Sequence, residues 1–160
     1  MAIDVFLRVD GIEGESKDAR HRGEIDVVTF AWGASNPAGH GTGTGAGTGR
    51  VTFQDVSFTA STSKASPKLF LACASGQHIR SAVLTVRKSG AQQQDFLKVT
   101  MTDVTVSSYS QTGDVSATVP VDQVALTFAR FQVSYAAQRA DGTLDTPVTA
   151  GWDLKTNTSF

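Results

Sequence analysis

The sequence predicts a mainly β protein: a small coiled β-barrel of two packed sheets with one short α-helix and an extended glycine-rich loop. Three observations carry that prediction. Several stretches alternate apolar and polar residues with a period of two, the mark of half-buried strands. Three of the longer ones slip by one residue midway, as strands do at a bulge or on passing between packing surfaces. Only one segment, opened by Ser66-Pro67 and followed by Gly76, carries helix start and stop residues. The chain length suits a single domain, 1–160.

The first strand places Ile3, Val5, Leu7 and Val9 on one face and Asp4 and Arg8 on the other. Phe6 interrupts the polar face, a hint that both faces are partly covered. Residues 10–23 are polar and hold three glycines, so they read as a long connection. Within it, 18–22 begins acidic and ends basic. That pattern suits either solvated surface or pairing with a neighbouring subunit. Residues 24–32 contain no proline or glycine, and four of the nine are β-branched. They read as one central strand, apolar on both faces at Val27-Val28. Alternation turns Val28, Phe30 and Trp32 to the core and leaves Val27, Thr29 and Ala31 on the milder face.

Residues 34–49 form the extended loop. Gly39, Gly41, Gly43, Gly45, Gly47 and Gly49 alternate with His40, Thr42, Thr44, Ala46 and Thr48. Glycine at every second place carries a high ordering cost, so a hairpin excursion that is mobile in an isolated subunit is expected. The alternation never gives G-x-G-x-x-G, and no Gly-Lys-Ser/Thr occurs, so a phosphate cradle is not predicted.

Beyond the loop come the three slips. Val51 and Phe53 give way to Val56 and Phe58. Leu97, Val99 and Met101 give way to Val104 and Val106. Val124, Leu126 and Phe128 give way to Phe131, Val133 and Tyr135. Long strands that change face suggest a strongly coiled sheet closing into a barrel. The helix, 67–75, has Ser66 to cap free amides, Pro67 in the first turn and Gly76 at the left-handed stop. Its expected inward face holds Leu69, Phe70 and Cys73. A strand at 82–88, longer ones at 95–110 and 120–138, and a last one at 148–156 complete the sheet. The last strand is expected to close it, with Trp152 as anchor.

Composition narrows the function. Fourteen basic and fifteen acidic residues give a net charge of −1, and like charges never run beyond two or three. The electrostatic footprint of a nucleic-acid binder or an anionic-membrane binder is therefore missing. Cys73 is the sole cysteine, which forbids an intrachain disulfide and suits a small buried hydrophobe. Only 18% of residues are charged, which leaves a surface of small polar side chains compatible with subunit packing. The chain enters a strand at once without a signal sequence, and no run approaches ~18 apolar residues. A cytoplasmic protein without membrane insertion is expected.

Chemistry is sparse. His21, His40 and His78 lie in different loops without ligand spacing, so no metal is expected. No G-x-S-x-G elbow occurs. Asp26 and Asp55 could form a carboxylate pair for glycoside chemistry, although strand aspartates beside glycine-rich turns are more often structural. Asn157-Thr158-Ser159 matches a glycosylation sequon and reads as accidental. No catalytic residue and no cofactor is predicted, which points to a protein that is not an enzyme.

One family draws these pieces together. Gly14-Glu15-Ser16-Lys17-Asp18, His21 and residues 23–33 resemble the haemolysin-coregulated protein family, the inner-tube subunit of the bacterial type VI secretion system. Further matches follow in order: residues 51–59, Ser66-Pro67-Lys68-Leu69, Cys73-Ala74-Ser75-Gly76, residues 84–88, residues 124–129 and Gly151-Trp152-Asp153. The likeness covers nearly the whole chain. It implies a homohexameric ring, stacked rings, and sheath, baseplate and spike proteins as partners. It also implies small effector proteins carried in the lumen, and export through the machine without a signal peptide. The resemblance places the ring-stacking contact in the extended loop, at Gly39, His40, Gly41, Thr42, Gly43, Thr44, Gly45, Gly47 and Thr48. It makes Val27, Thr29 and Ala31 candidates for the pore wall. Two rival readings are a tube subunit of another contractile injection system and a monomeric β-barrel ligand-binding module.

Overall fold

The computed structural model describes residues 2–37, 50–90 and 92–160. The ring-stacking positions from Gly39 to Thr48 lie outside the described residues. In order, the elements are β1 (Ile3–Val9), β2 (Ile25–Val27), β3 (Thr29–Ser35), β4 (Thr52–Ser61), α1 (Ser66–Ser75), β5 (Ile79–Lys88), β6 (Asp95–Thr112), β7 (Val121–Tyr135), β8 (Val148–Asp153) and β9 (Thr158–Ser159).

Among the described residues the strands form one nine-stranded sheet in the order β2-β1-β5-β6-β7-β4-β3, with β8 added to β7 and β9 to β8. The two ends of that order, β2 and β3, are separated along the chain by Val28 alone. Its N–H donates to the Thr59 carbonyl at 2.8 Å. The sheet therefore closes on itself, and the two packed layers are its two halves.

Residues 25–35 are the seam rather than a central strand. The first part pairs with β1 and the second with β4. Changing partner inverts the inward parity. Ile25 is buried and Val27 packs against the core; beyond Val28, Phe30 and Trp32 do so. Val28, expected inside, is 65% exposed. The closing role expected of residues 148–156 fails for the same reason. β8 pairs only with the outer half of β7 and with β9, and Trp152 is half-buried opposite Phe131.

The three slips are real changes of face. Between Ala31↔Ser57 and Gly33↔Gln54, β4 advances one residue more than β3, which is a bulge. In β6, Asp103 takes φ 55 between buried Met101 and Val104. β7 changes with it: Met101 faces Phe131 and Val104 faces Phe128, so the register survives. β6 and β7 thus pass from one half of the barrel to the other, and both halves share one core from Leu7 and Leu84 to Phe58 and Leu126.

Helix α1 stops as expected at Gly76, φ 65. Its start differs: the cap position is Ala65, and the Ser66 hydroxyl accepts the Ser63 N–H at 3.0 Å and donates to the buried carboxylate of Asp122. Ala65, Leu69 and Ala72 form the buried stripe, while Cys73 is half-buried. Phe70 is 57% exposed and meets Tyr109 edge-on, 6.3 Å between centroids. One residue is about 100° of rotation on a helix, so Phe70 cannot share the inward face of both Leu69 and Ala72.

Candidate functional site

The two halves of the barrel have different outer surfaces. In the half built from β3, β4, the first part of β7 and the last part of β6, two cross-strand rows face outward. One runs Thr29, Thr59, Gln123, Ser110 and the other Ala31, Ser57, Ala125, Ser108. None of the eight carries a charge, and Thr29 and Ala31 are exposed. The inward neighbours are Val56, Phe58, Val124 and Leu126, all buried. Alternation along each strand produces this wall: apolar residues at one parity, small polar ones at the other. The Thr29 and Thr59 hydroxyls are 2.6 Å apart, so adjacent strands are tied by side chains as well as by backbone.

This wall ends in two strands that lack an outer neighbour among the described residues. β3 pairs only with β4. β6 loses its partner β5 after Val104 and continues to Thr112 paired only with β7. Both edges present unpaired backbone donors and acceptors, which is a template for another strand. Of the pore-wall candidates, Thr29 and Ala31 lie on this outer face. Val27 does not: it sits opposite Val5 and packs against the core, because the parity inverts at Val28.

The other half is covered. Residues 14–24 fold over the outward side of β1 and β5, held by backbone bonds from Gly14 N–H to Gly23 O at 2.8 Å and from Ser16 N–H to Glu24 O at 3.0 Å. Beneath lie Phe6, Thr85 and Arg87, all buried. The Arg87 Nη2 meets Asp18 at 2.7 Å and Asp4 at 3.1 Å with the side chain 3% exposed. Its guanidinium stands 4.8 Å from the Phe6 ring, and the His21 ring stacks on Phe6 at 4.3 Å and 8°. The bond to Arg87 holds the Asp18 carboxyl far below the usual carboxylate range, and Asp18 raises Arg87 in return. Asp18 and His21 are therefore not solvated decoration. The interruption by Phe6 was the sequence signal for the cover, whereas nothing local marked Arg87 as the residue beneath it.

The remaining candidates stay apart. The Asp55 carboxylate accepts from Ser107 at 2.6 Å, and Asp26 is opposite Phe6 with Ser16 as its hydrogen-bond partner. His78 meets Asp103 at 2.9 Å at the surface, and His40 lies outside the described residues. Among the described residues no group of three or more His, Cys, Asp or Glu side chains could hold a metal ion. Among the described residues no helix is long and apolar enough to cross a membrane.

Comparison with known proteins completes the picture. The profile of a family described as "Type VI secretion system effector, Hcp" matches residues 6–135. Protein hcp1 of Pseudomonas aeruginosa is 42% identical over 159 residues, 98% of either chain. A solved type six secretion system protein superposes with TM-score 0.93 at 29% identity, covering 99% of this chain and 100% of its own. Hcp1 from Salmonella typhimurium superposes with TM-score 0.82 at 34% identity over the full length of both. With a matching profile over most of its length and a full-length relative at this identity, the chain belongs to the Hcp family of the type VI secretion system.

Proposed function

We propose that the chain is a tube subunit: it forms hexameric rings whose inner wall is the β3-β4-β7-β6 face with its two uncharged rows, and the rings stack into a tube. The single observation that supports this most is the pairing of two outward rows of uncharged side chains, with Asp55 the charged neighbour beside them, with two strand edges on the same sheet that lack an outer strand among the described residues. Backbone groups on a free edge gain most when another strand completes them. The β3 edge of one copy and the β6 edge of the next are different surfaces, so their contact is heterologous and closes into a ring when the rotation permits.

The smooth wall also suits transport. Small uncharged side chains offer passing protein shallow contacts, without the long-range attraction of charged groups. Effector proteins held in the lumen would then be released readily. In this reading the protein is a structural component without an active site. It is cytoplasmic before firing, then secreted, and works with sheath, baseplate and spike proteins. In the same reading the ring-stacking positions from Gly39 to Thr48, outside the described residues, join one ring to the next.

Light scattering and electron microscopy of the purified protein test this. Assembly predicts six-fold rings with a mass near six times 16.9 kDa; a single-chain mass at every concentration would overturn it. Ala31→Arg then tests the wall: rings persist but cargo loading falls. Intact rings that retain cargo normally would remove Ala31 from the lumen.

A further inference from the structure

The segment that covers β1 and β5 is fastened by an imidazole with a carboxylate on either side. His21 Nδ1 lies 2.9 Å from Glu24 Oε2, and its Nε2 lies 3.1 Å from Asp95 Oδ1 at the start of β6. The residue is 6% exposed, and its ring is stacked on Phe6 of β1. An ionised carboxylate only accepts hydrogen bonds, and a neutral imidazole has a single N–H to give. Both contacts are satisfied together only when both ring nitrogens carry hydrogen. A neutral ring would turn a lone pair toward one of the carboxylates, which is costliest on the side of Glu24, 13% exposed against 34% for Asp95.

The other charged groups around the ring strengthen that requirement. From its own segment, Asp18 accepts the His21 backbone N–H at 3.2 Å. From β5, Arg87 stands over Phe6 but is already engaged by Asp18 and by Asp4 of β1. Arg20 is exposed and donates to Gln93 O at 3.0 Å. No cation among these is bound to Glu24 or to Asp95, so the imidazole is the positive group between them.

We propose that His21 is a proton-operated latch: protonated on both nitrogens, it bridges Glu24 and Asp95 and holds residues 14–24 down on the β1-β5 face. On losing one proton it keeps one strap and releases the other.

Nitrogen NMR of the imidazole in the full chain tests the latch directly. In the latched state both His21 nitrogens should report bound hydrogen. A bare nitrogen already present at about pH 6 would overturn the proposal. Asp95→Asn keeps a partner on Nε2 but removes its charge, and should bring the bare nitrogen in at lower pH than in the unaltered chain. No displacement would count against the bridge. The Tm gap between the unaltered chain and His21→Gln should shrink at least about twofold from ~pH 6 to ~pH 8. A gap independent of pH would reduce His21 to packing.

Discussion

The outward surfaces of the two halves of this barrel are finished in opposite ways. On β1 and β5, residues 14–24 fold back and bury Phe6 and Arg87 against Asp4, Asp18 and the stacked His21. On β3, β4, β7 and β6 no segment comparable to 14–24 covers the two uncharged rows among the described residues; they face out beside Asp55, while helix α1 packs on β6. The first half is closed by the chain itself. The second is left in the condition that association between copies would complete. Stability should therefore be concentrated in contacts of the covered half, and assembly in the bare half.

Removing Arg87 should have the largest effect. Arg87→Ala strips the counter-charge from Asp4 and Asp18 and empties the buried site beneath the cover, and it should lower stability more than the other substitutions. Urea unfolding measures it; a loss below about 1 kcal/mol would mean the guanidinium is not the keystone of the cover. Gly14→Ala strains the same cover. A Cβ there would stand 2.4 Å from the Glu24 carbonyl oxygen and 2.7 Å from the Ile25 Cα, both backbone atoms. The cover must shift, at about 1–3 kcal/mol, and calorimetry that finds no change would show a looser segment than described. Phe70→Ala should cost less than about 1 kcal/mol because the ring is mostly exposed, while Leu69→Ala, on the buried stripe, should cost about 2–5 kcal/mol. Equal losses would contradict the helix orientation.

The smallest effect concerns Asp26, at the margin of the cover. Partial desolvation of the carboxyl pushes its pKa up, Ser16 opposes, and Asp18 and Asp4 add to the rise, although the residue as a whole is exposed. A raised carboxyl binds its proton more tightly in the folded chain than in the unfolded one. Its contribution is therefore favourable at low pH and lost as pH rises through the folded value. Asp26→Asn should accordingly raise Tm slightly at neutral pH, with the gain fading on acidification. A gain that grew toward acid would reverse the sign of the argument.

Most of the architecture was written in local patterns. Alternation located β1, β4, β6 and β7, and the slips at 101/104 and 53/56 marked where strands cross between halves. The same slip lies in the seam, with Ile25 and Val27 inward, then Phe30 and Trp32. It was hidden because Val27-Val28 is apolar on both parities, so nothing in the pattern chooses which valine faces in. That choice is made by the change of partner from β1 to β4, a tertiary fact, and it is why Val27 leaves the outer face while Thr29 and Ala31 stay. Helix α1 has the same ambiguity. Residues 69–73 are all apolar, so periodicity cannot orient them, and packing on β6 selects Leu69 and Ala72 over Phe70. The cover was foreshadowed by Phe6, but the pairing of Arg87 with Asp4 spans 83 positions and leaves no local trace.

Hydrogen exchange followed across a dilution series tests the division of labour most directly. Amides on the free edges at 29–35 and 105–112 should become more protected as concentration rises, while those of β1 and β5 stay constant. Protection that changes instead in residues 14–24, or nowhere at all, would contradict the assignment of assembly to the bare wall.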